Sequence, residues 1–308
     1  MKLKLAFITF AILLMTILTG CEPLLVLDPK GPQAETTANV IWLSILIMAI
    51  IVIVVITLLI IMLYKYRASK QSEDYEPPHI KGNPIVETII VAIPVLIVIF
   101  LSIVSVKSTY EVETVPEGYE DNEPLIIYAA SSNWKWHFSY PEQDIETLNY
   151  VFIPTHRPVE FRLYSYGPIT SFWIPQLAGQ KYAMADMVTK INLVAETPGD
   201  YVGRNANFSG EGFAENTFNT TALSNEEFNK WVEEIHSTAD PLTEEQFDKL
   251  LEPGHLGQMT FTGTHLEFAP APEGEHAGHH HGDSDEGHSE HEDSEEESHS
   301  DHEDHSSH

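Results

Sequence analysis

The chain has 308 residues and a formal net charge of -30, so it is long enough for one large domain or two of ordinary size. This acidic balance excludes nucleic acid as a partner, because a phosphate backbone requires a basic face. The only cysteine is Cys21, which excludes an intrachain disulfide and any metal site built from several thiolates.

The start of the chain has the pattern of a bacterial export signal. Residues 1–4 contain two lysines, residues 5–18 are largely apolar, and the run ends in Leu-Thr-Gly directly before Cys21. This ending resembles the lipobox, in which the cysteine receives a lipid before the signal is removed. An ordinary signal peptide with a chance cysteine is the alternative. We predict a lipoprotein signal peptide over residues 1–20 and a lipidated (palmitate-bearing) mature N-terminus at Cys21.

Two later segments are long and apolar enough to span a bilayer. Residues 40–63 contain only two hydroxyl side chains as polar interruptions, and residues 84–106 contain one carboxylate, Glu87, and one internal proline, Pro94. At ~1.5 Å per residue, each segment crosses a hydrocarbon core of roughly 30 Å. The loop between them carries lysine and arginine, which favours the cytoplasmic side. Residues 21–107 are therefore predicted to form a lipidated N-terminus with a two-helix hairpin, and the rest of the chain lies on the outer face of a bacterial cell membrane.

From residue 125 the pattern changes to short stretches rich in β-branched and aromatic residues. They are separated by Pro, Gly, Asn and Asp turn signals, and they cover residues 125–130, 134–140, 148–153, 159–165, 190–195 and 200–204. Several short strands in about 100 residues predict a Greek-key β-sandwich. We place this exported all-β domain at residues 108–222.

A helical extension is predicted over residues 223–268. Ser224 and Glu227 have the spacing of a capping box, and Phe228, Trp231 and Ile235 follow on one helical face. A second, shorter helix is expected to begin near the Pro-Leu-Thr at residues 241–243, because an apolar stripe follows it and Pro-Gly at residues 253–254 stops it.

The last segment, residues 269–308, is predicted to be disordered, because it is rich in histidine and acidic residues and has almost nothing apolar to bury. The cluster His279, His280 and His281 could bind Zn, Cu or Ni ions weakly. The segment could also buffer protons, since histidine titrates near neutral pH. The alternative is a solvated acidic tail with no specific task.

Three motifs in this order resemble subunit II of haem-copper oxidases, over roughly residues 35–260. Glu87 and Pro94 have the spacing of the family's Glu-Thr-x-x-x-x-x-Pro signature, and Trp134 with Trp136 is similar to its Trp-x-Trp stretch. Residues 170–175 and 198–204 look like the frame of the dinuclear copper site in cytochrome c oxidases. The resemblance implies a cupredoxin-like fold for the sandwich.

All six positions that would carry the copper ligands in that family hold other residues here. The two histidine positions, the two cysteine positions, the glutamate position and the methionine position are occupied, in that order, by Thr170, Phe213, Asn205, Ser209, Asn207 and Asn216. A mixed-valence copper pair needs soft thiolate ligands. The resemblance therefore points to the quinol-oxidising branch of the family, and the run from Tyr182 to Met187 is also similar to that branch.

This branch implies a subunit II of a proton-pumping quinol oxidase that reduces oxygen to water. No catalytic residue, metal or cofactor is then expected in this chain, and haem and copper are expected in subunit I. The expected partners are subunit I, small membrane subunits, the lipid bilayer and quinol, but not cytochrome c. Two alternatives stay open: a membrane lipoprotein that binds Cu or Zn through its His-rich tail, and a cytochrome c oxidase-type subunit.

The resemblance also suggests roles for single residues. Glu87, about one turn inside the second span, is expected to be the carboxylate at the mouth of a proton channel in subunit I; an interfacial glutamate that reaches the cytoplasm is the alternative. Trp134 and Trp136 alternate, so we expect both on one strand face, where they pack or contact another subunit. The histidines of the domain show no repeated short ligand spacing, so we interpret them as ordinary surface or core residues.

Overall fold

Two long helices begin the part of the chain that the computed structural model describes, which is residues 24–67 and 82–272. Helix α1 covers Pro32–Lys65 and helix α2 covers Pro84–Glu113, each with a proline in its first turn, where the missing N–H is not needed. Both are long and apolar enough to cross a membrane, as predicted. Cys21 and the cluster at residues 279–281 lie outside the described residues, as does the whole tail from residue 273.

Both helices extend beyond the predicted spans, and the extra turns contact the β-domain. α1 begins at Pro32 rather than at residue 40, and its first turns bury Gln33, Ala34 and Ala38. α2 ends at Glu113 rather than at residue 106, and its last carboxylate forms an ion pair with Lys181 at 2.8 Å. The continuous apolar runs in the sequence predicted only the part of each helix that is apolar enough to lie in lipid.

The β-domain is a sandwich of two sheets, which confirms the predicted architecture. One sheet has the order β11-β3-β2-β1-β5-β8 and the other β4-β10-β9-β6-β7. Pairs β1–β5 and β4–β10 are parallel, and the other neighbours are antiparallel. The strands are β1 Leu125–Ser132, β2 Lys135–Tyr140, β3 Ile145–Leu148, β4 Tyr150–Pro154, β5 Val159–Ser165, β6 Thr170–Trp173, β7 Gln180–Ala183, β8 Thr189–Leu193, β9 Gly199–Asn205, β10 Thr217–Leu223 and β11 Met259–Thr262.

The core between the sheets is largely aromatic. Trp136, Phe138, Phe172 and Phe218 are at most 2% exposed and have ring centroids 5.0–6.5 Å apart. Edge and offset contacts at such distances stabilise by about 0.5–1.5 kcal/mol per pair beyond the burial of area. This block of rings fixes the spacing of the two sheets.

Two capping boxes begin the helices that follow the sandwich. α3 covers Asn225–Thr238, and its Ser224–Glu227 capping box is present as predicted. α4 covers Glu244–Leu251 and has a second capping box, Thr243 with Gln246, that was not predicted. Phe228 and Trp231 of α3 join the main core, whereas α4 contributes Phe247 and Leu250 to a separate small apolar cluster.

The interpretation of residues 223–268 as a purely helical extension is wrong. After α4 the chain forms β11, which pairs with β3 and becomes the edge strand of the six-stranded sheet. The predicted strand over residues 148–153 is also two strands, because Asn149 adopts a left-handed conformation (φ 57°) between β3 and β4. Its side chain accepts a hydrogen bond from the backbone N–H of Trp136 and donates one to the Leu256 carbonyl.

Candidate functional site

The six positions that resemble copper ligands come together at one end of the sandwich. Thr170 begins β6 and Asn205 ends β9, and these antiparallel neighbours bring the two residues to the same end of the five-stranded sheet. The other four positions lie in residues 206–216, between β9 and β10, which we call the pole loop. Motif spacing thus predicted the location of the site, and the described structure assembles it.

Asn205 organises this site through hydrogen bonds from a side chain that is almost fully buried. Its Oδ1 accepts from the backbone N–H groups of Ser171 at 2.8 Å and Asn207 at 2.9 Å. Its Nδ2 donates to Ser209 Oγ at 2.9 Å, and its backbone N–H donates to the Asn216 carbonyl at 2.9 Å. The two positions that would carry bridging thiolates are therefore joined by an amide–hydroxyl hydrogen bond.

The Thr170 hydroxyl belongs to a buried group of three. Its Oγ1 lies 2.6 Å from Ser131 Oγ, which donates to Ser165 Oγ at 3.0 Å. Beside it, the Asn207 side chain donates to the Ile169 carbonyl and fastens the pole loop to the start of β6. These hydroxyl and amide groups satisfy one another instead of converging on an open position.

Trp134 covers the pole loop and does not share a strand face with Trp136, so that prediction is wrong. Trp134 lies in the turn before β2 with φ 67°, and its indole N–H donates to the Ser209 carbonyl at 3.1 Å. The ring packs so closely on Gly212 that a Cβ there would collide with it. Trp136 is fully buried in the core and presents no surface to another subunit.

Phe213 and Asn216 occupy the remaining two of the six positions. Phe213 begins a short 3₁₀ turn, and its ring lies 5.6 Å from that of Phe208, which is 77% exposed. Asn216 is 1% exposed, and neither its Oδ1 nor its Nδ2 has a hydrogen-bond partner among the described residues. An unpaired buried amide destabilises a folded protein by about 1–3 kcal/mol. The Asn216 side chain therefore lowers the stability of the pole loop.

These residues do not fit a copper centre. The six positions offer amide, hydroxyl and phenyl groups, and neither a thiolate nor an imidazole, the ligands that hold copper pairs. Across residues 24–67 and 82–272, no group of three or more His, Cys, Asp or Glu side chains is arranged to hold a metal ion.

Glu87 lies far from the pole loop, in the first turn of α2. Its backbone N–H donates to the Asn83 carbonyl at 3.0 Å, and the Asn83 side chain caps the helix by accepting from the N–H groups of Ile85 and Val86. A carboxylate in the first turn is favoured by the positive end of the helix dipole. At ~1.5 Å per residue, roughly 40 Å of helix separates Glu87 from Glu113. The structure therefore does not bring Glu87 together with the other candidate residues.

Sequence reasoning missed a buried group of polar side chains elsewhere in the domain. His137 and His265, interpreted as ordinary histidines, are both fully buried, and His265 contacts Glu146. The contacting residues are 119 positions apart in the chain, so no spacing rule could have joined them.

Known proteins are similar to both parts of the described chain. A profile for "Cytochrome C oxidase subunit II, transmembrane domain" matches residues 24–108. The periplasmic domain of subunit II of cytochrome oxidase from Bradyrhizobium japonicum is 19% identical, with a TM-score of 0.35 over 35% of this chain and 91% of that chain.

Two sequence relatives are much more similar. Quinol oxidase subunit 2 of Bacillus cereus is 44% identical over 273 residues, which cover 87% of this chain and 94% of the relative. Quinol oxidase subunit 2 of Bacillus subtilis is 46% identical over 253 residues, which cover 82% and 79%. Since these identities extend over most of both chains, this protein belongs to the quinol oxidase subunit 2 family.

Proposed function

We propose that this chain is a supporting subunit of a respiratory quinol oxidase, in which it binds subunit I and carries no redox metal itself. The complex oxidises quinol, reduces oxygen to water and translocates protons, and its haem and copper lie in subunit I. The observation that carries the proposal is the Asn205–Ser209 hydrogen bond, which occupies the positions of the bridging thiolates.

The physical logic of a quinol donor supports this role. Quinol is soluble in lipid and reaches its oxidant within the membrane, so electrons need no metal relay in a domain outside the bilayer. A domain freed from electron transfer can exchange metal ligands for groups that stabilise the loop. The hydrogen bonds that amide and hydroxyl side chains form in the pole loop are consistent with such a replacement of metal ligands.

The same proposal includes the placement of the chain. Lys65 and Arg67 follow the apolar part of α1 and favour the cytoplasmic side. The chain then returns through α2, so the β-domain lies on the outer face of the cell membrane. Lipidation of Cys21 would anchor the N-terminus on that same face.

Glu87 is proposed to admit protons to a channel in subunit I. Its position at the N-terminal end of α2 supports this role, because in the proposed orientation that end faces the cytoplasm, from which protons are taken up. A carboxylate in the first turn of a helix also interacts favourably with the positive end of the helix dipole. Helix α2 is exposed along its length in the isolated chain, so the Glu87 carboxylate is accessible to a neighbouring subunit.

The decisive experiment is metal and activity analysis of the intact complex purified through this subunit. We expect oxygen consumption with a quinol donor, haem in the complex, and no copper in the full-length chain purified alone in detergent. Reduced cytochrome c should give no oxygen consumption. Two copper atoms held by this chain, or turnover with cytochrome c, would exclude the proposed function and favour a cytochrome c oxidase-type subunit.

A further inference from the structure

A buried polar cluster joins the sandwich to the last part of the described chain. His265, in the 3₁₀ turn His265–Glu267, places its Nδ1 2.7 Å from Glu146 Oε1 of β3, and both side chains are at most 1% exposed. Glu146 Oε2 also accepts from the Ser139 hydroxyl at 2.5 Å and from the backbone N–H of His265 at 3.3 Å. The Tyr164 hydroxyl lies 2.5 Å from His265 Nε2. We call these four side chains the clasp.

Aromatic rings and a second imidazole close the clasp from water. The Phe247 ring of α4 stacks on the His265 imidazole, with centroids 4.6 Å apart and an interplanar angle of 5°. The His137 ring lies 6.4 Å from the His265 ring. His137 Nε2 contacts Ser132 Oγ at 2.8 Å, but its Nδ1 has no partner among the described residues.

The clasp holds a segment that packs apart from the main core. Residues 240–272, the C-terminal segment, contain α4, β11 and the His265 turn. Their apolar contacts form a separate small cluster around Leu148, Leu242, Phe247 and Leu250. Leu266 and Ala271 pack on a second small cluster that includes Tyr164. Polar ties add to these contacts: Lys135 Nζ donates to the carbonyls of Glu252 and Gly254, further hydrogen bonds come from the sandwich, and β11 pairs with β3. The C-terminal segment can therefore leave the sandwich without opening its aromatic core.

Ionisable groups from several elements surround the clasp. Glu146 contacts His265, the His137 ring lies beside the His265 ring, and Lys135 of β2 lies close enough to His137 to influence its charge. Tyr164 and Tyr166 of β5 keep their protons, since burial raises the pKa of Tyr164 well above 10 and that of Tyr166 to about 12. Helix α4 adds an uncharged ring, Phe247, and near Lys135 the chain adds the Glu252 carboxylate.

Burial lowers the pKa of His137 well below 6.5, and the neighbouring His265 and Lys135 lower it further. In the open state His137 is hydrated and binds its proton near pH 6.5. Its contribution to the closed state is therefore complete above that pH and is lost as the pH falls below it.

We propose that this cluster is an acid-sensitive clasp, which holds the C-terminal segment on the sandwich at neutral pH and releases it when the surrounding solution becomes acidic. Release exposes the β3 edge of the six-stranded sheet, and it frees the Lys135 ammonium from the carbonyls of Glu252 and Gly254. Each proton taken up on opening changes the opening equilibrium by up to about tenfold per pH unit.

Hydrogen exchange on the intact oxidase complex in detergent tests this proposal. Protection factors, corrected for the intrinsic pH dependence of exchange, are compared at pH 7.5 and pH 5 for α4 and β11. We expect a fall of about tenfold or more at pH 5 in these two elements. Helix α3, which packs on the main core, is the internal reference and should keep its protection.

Three variants separate the clasp from general acid lability. His265→Gln should lower the protection of α4 and β11 at both pH values while α3 stays protected. His137→Gln should keep the segment closed and make the pH dependence shallower. His236→Gln changes an exposed histidine of α3 and should behave as the parent protein. Equal protection of α4 and β11 at both pH values in the parent protein, or a loss of α3 protection together with theirs, would overturn the proposal.

Discussion

Asn205 illustrates how one side chain can take over the structural task of a metal ion. A metal cross-links chain segments that are distant in sequence, and the Asn205 side chain also joins two segments: β6 through Ser171, and the pole loop through Asn207 and Ser209. Its backbone N–H donates to the Asn216 carbonyl at the far end of the same loop. Each bond is a neutral hydrogen bond of roughly 0.5–1.5 kcal/mol. The pole loop is thus held by several weak bonds in place of a few strong ones.

At the same scale, Glu87 provides the test of the proton path. Glu87→Gln keeps the size of the side chain and is easier to insert than a carboxylate, so fold and assembly should be unchanged. A positioned proton-transfer group contributes about 10²–10⁴-fold to a rate, so quinol oxidation should fall at least about tenfold. Oxygen consumption of the purified complex measures this.

The Asp variant is the matched control for that experiment. Glu87→Asp retains an acid with a shorter reach and should recover part of the rate. If the Gln variant consumes oxygen as fast as the parent at every pH tested, Glu87 has no role in proton entry.

At the scale of elements, the beginning of α1 is fitted against the β-domain. Gly31 caps the helix, and a Cβ there would collide with the Val194 carbonyl oxygen, which is backbone and cannot rotate away. Lys30 adds backbone hydrogen bonds to Gln176 and Glu196 on either side. The membrane helix and the sandwich therefore meet through a backbone-to-backbone contact that tolerates no added atom.

This contact predicts the effect of a single methyl group. Gly31→Ala should destabilise the full-length protein by about 1–3 kcal/mol, because the clash forces the helix and the sandwich apart. Thermal unfolding in detergent measures the change. Gly179→Ala is the matched control, since a Cβ at Gly179 meets no atom within 4 Å. Equal unfolding temperatures for both variants would contradict the close contact.

Elements with a local signal could be predicted from the sequence, and those defined by distant partners could not. Apolar runs identified α1 and α2, and the Ser224 capping box identified α3. β6 and β7 have four residues each and β10 is rich in Thr and Asn, so none carries a clear alternating pattern. β11 is a strand because β3 pairs with it, although more than 100 residues separate them.

Some parts of the candidate site could likewise be predicted from the sequence, and others could not. Motif spacing located all six ligand-like positions, because five of them lie within residues 205–216 and the sixth is part of the motif at residues 170–175. The position of Trp134 could not be predicted, since its positive φ removes it from the alternation of β2. The contact of Glu146 with His265 depends on how the last segment folds back, and nothing near either residue in the sequence indicates it.

For the whole molecule, attachment to the membrane is expected to be redundant. Two helices of 34 and 30 residues would hold the chain in the bilayer without any lipid. Cys21→Ser should therefore abolish fatty-acid labelling and leave the protein in the membrane fraction after a high-salt wash. Labelling that persists in the variant would show that Cys21 is not the modified residue, and release into the soluble fraction would show that the helices do not span.

The filled pole also has an evolutionary consequence. Acquisition of copper binding at this end of the sandwich would have to pass through variants such as Asn205→Cys, which leaves the N–H groups of Ser171 and Asn207 without their acceptor. Each unpaired buried N–H destabilises by about 1–3 kcal/mol before a second thiolate exists to offset it. Trp134 over Gly212 would block the space as well. Single substitutions at these positions therefore lower stability before they create a metal site, so descendants of this sequence can vary the loop without becoming metalloproteins.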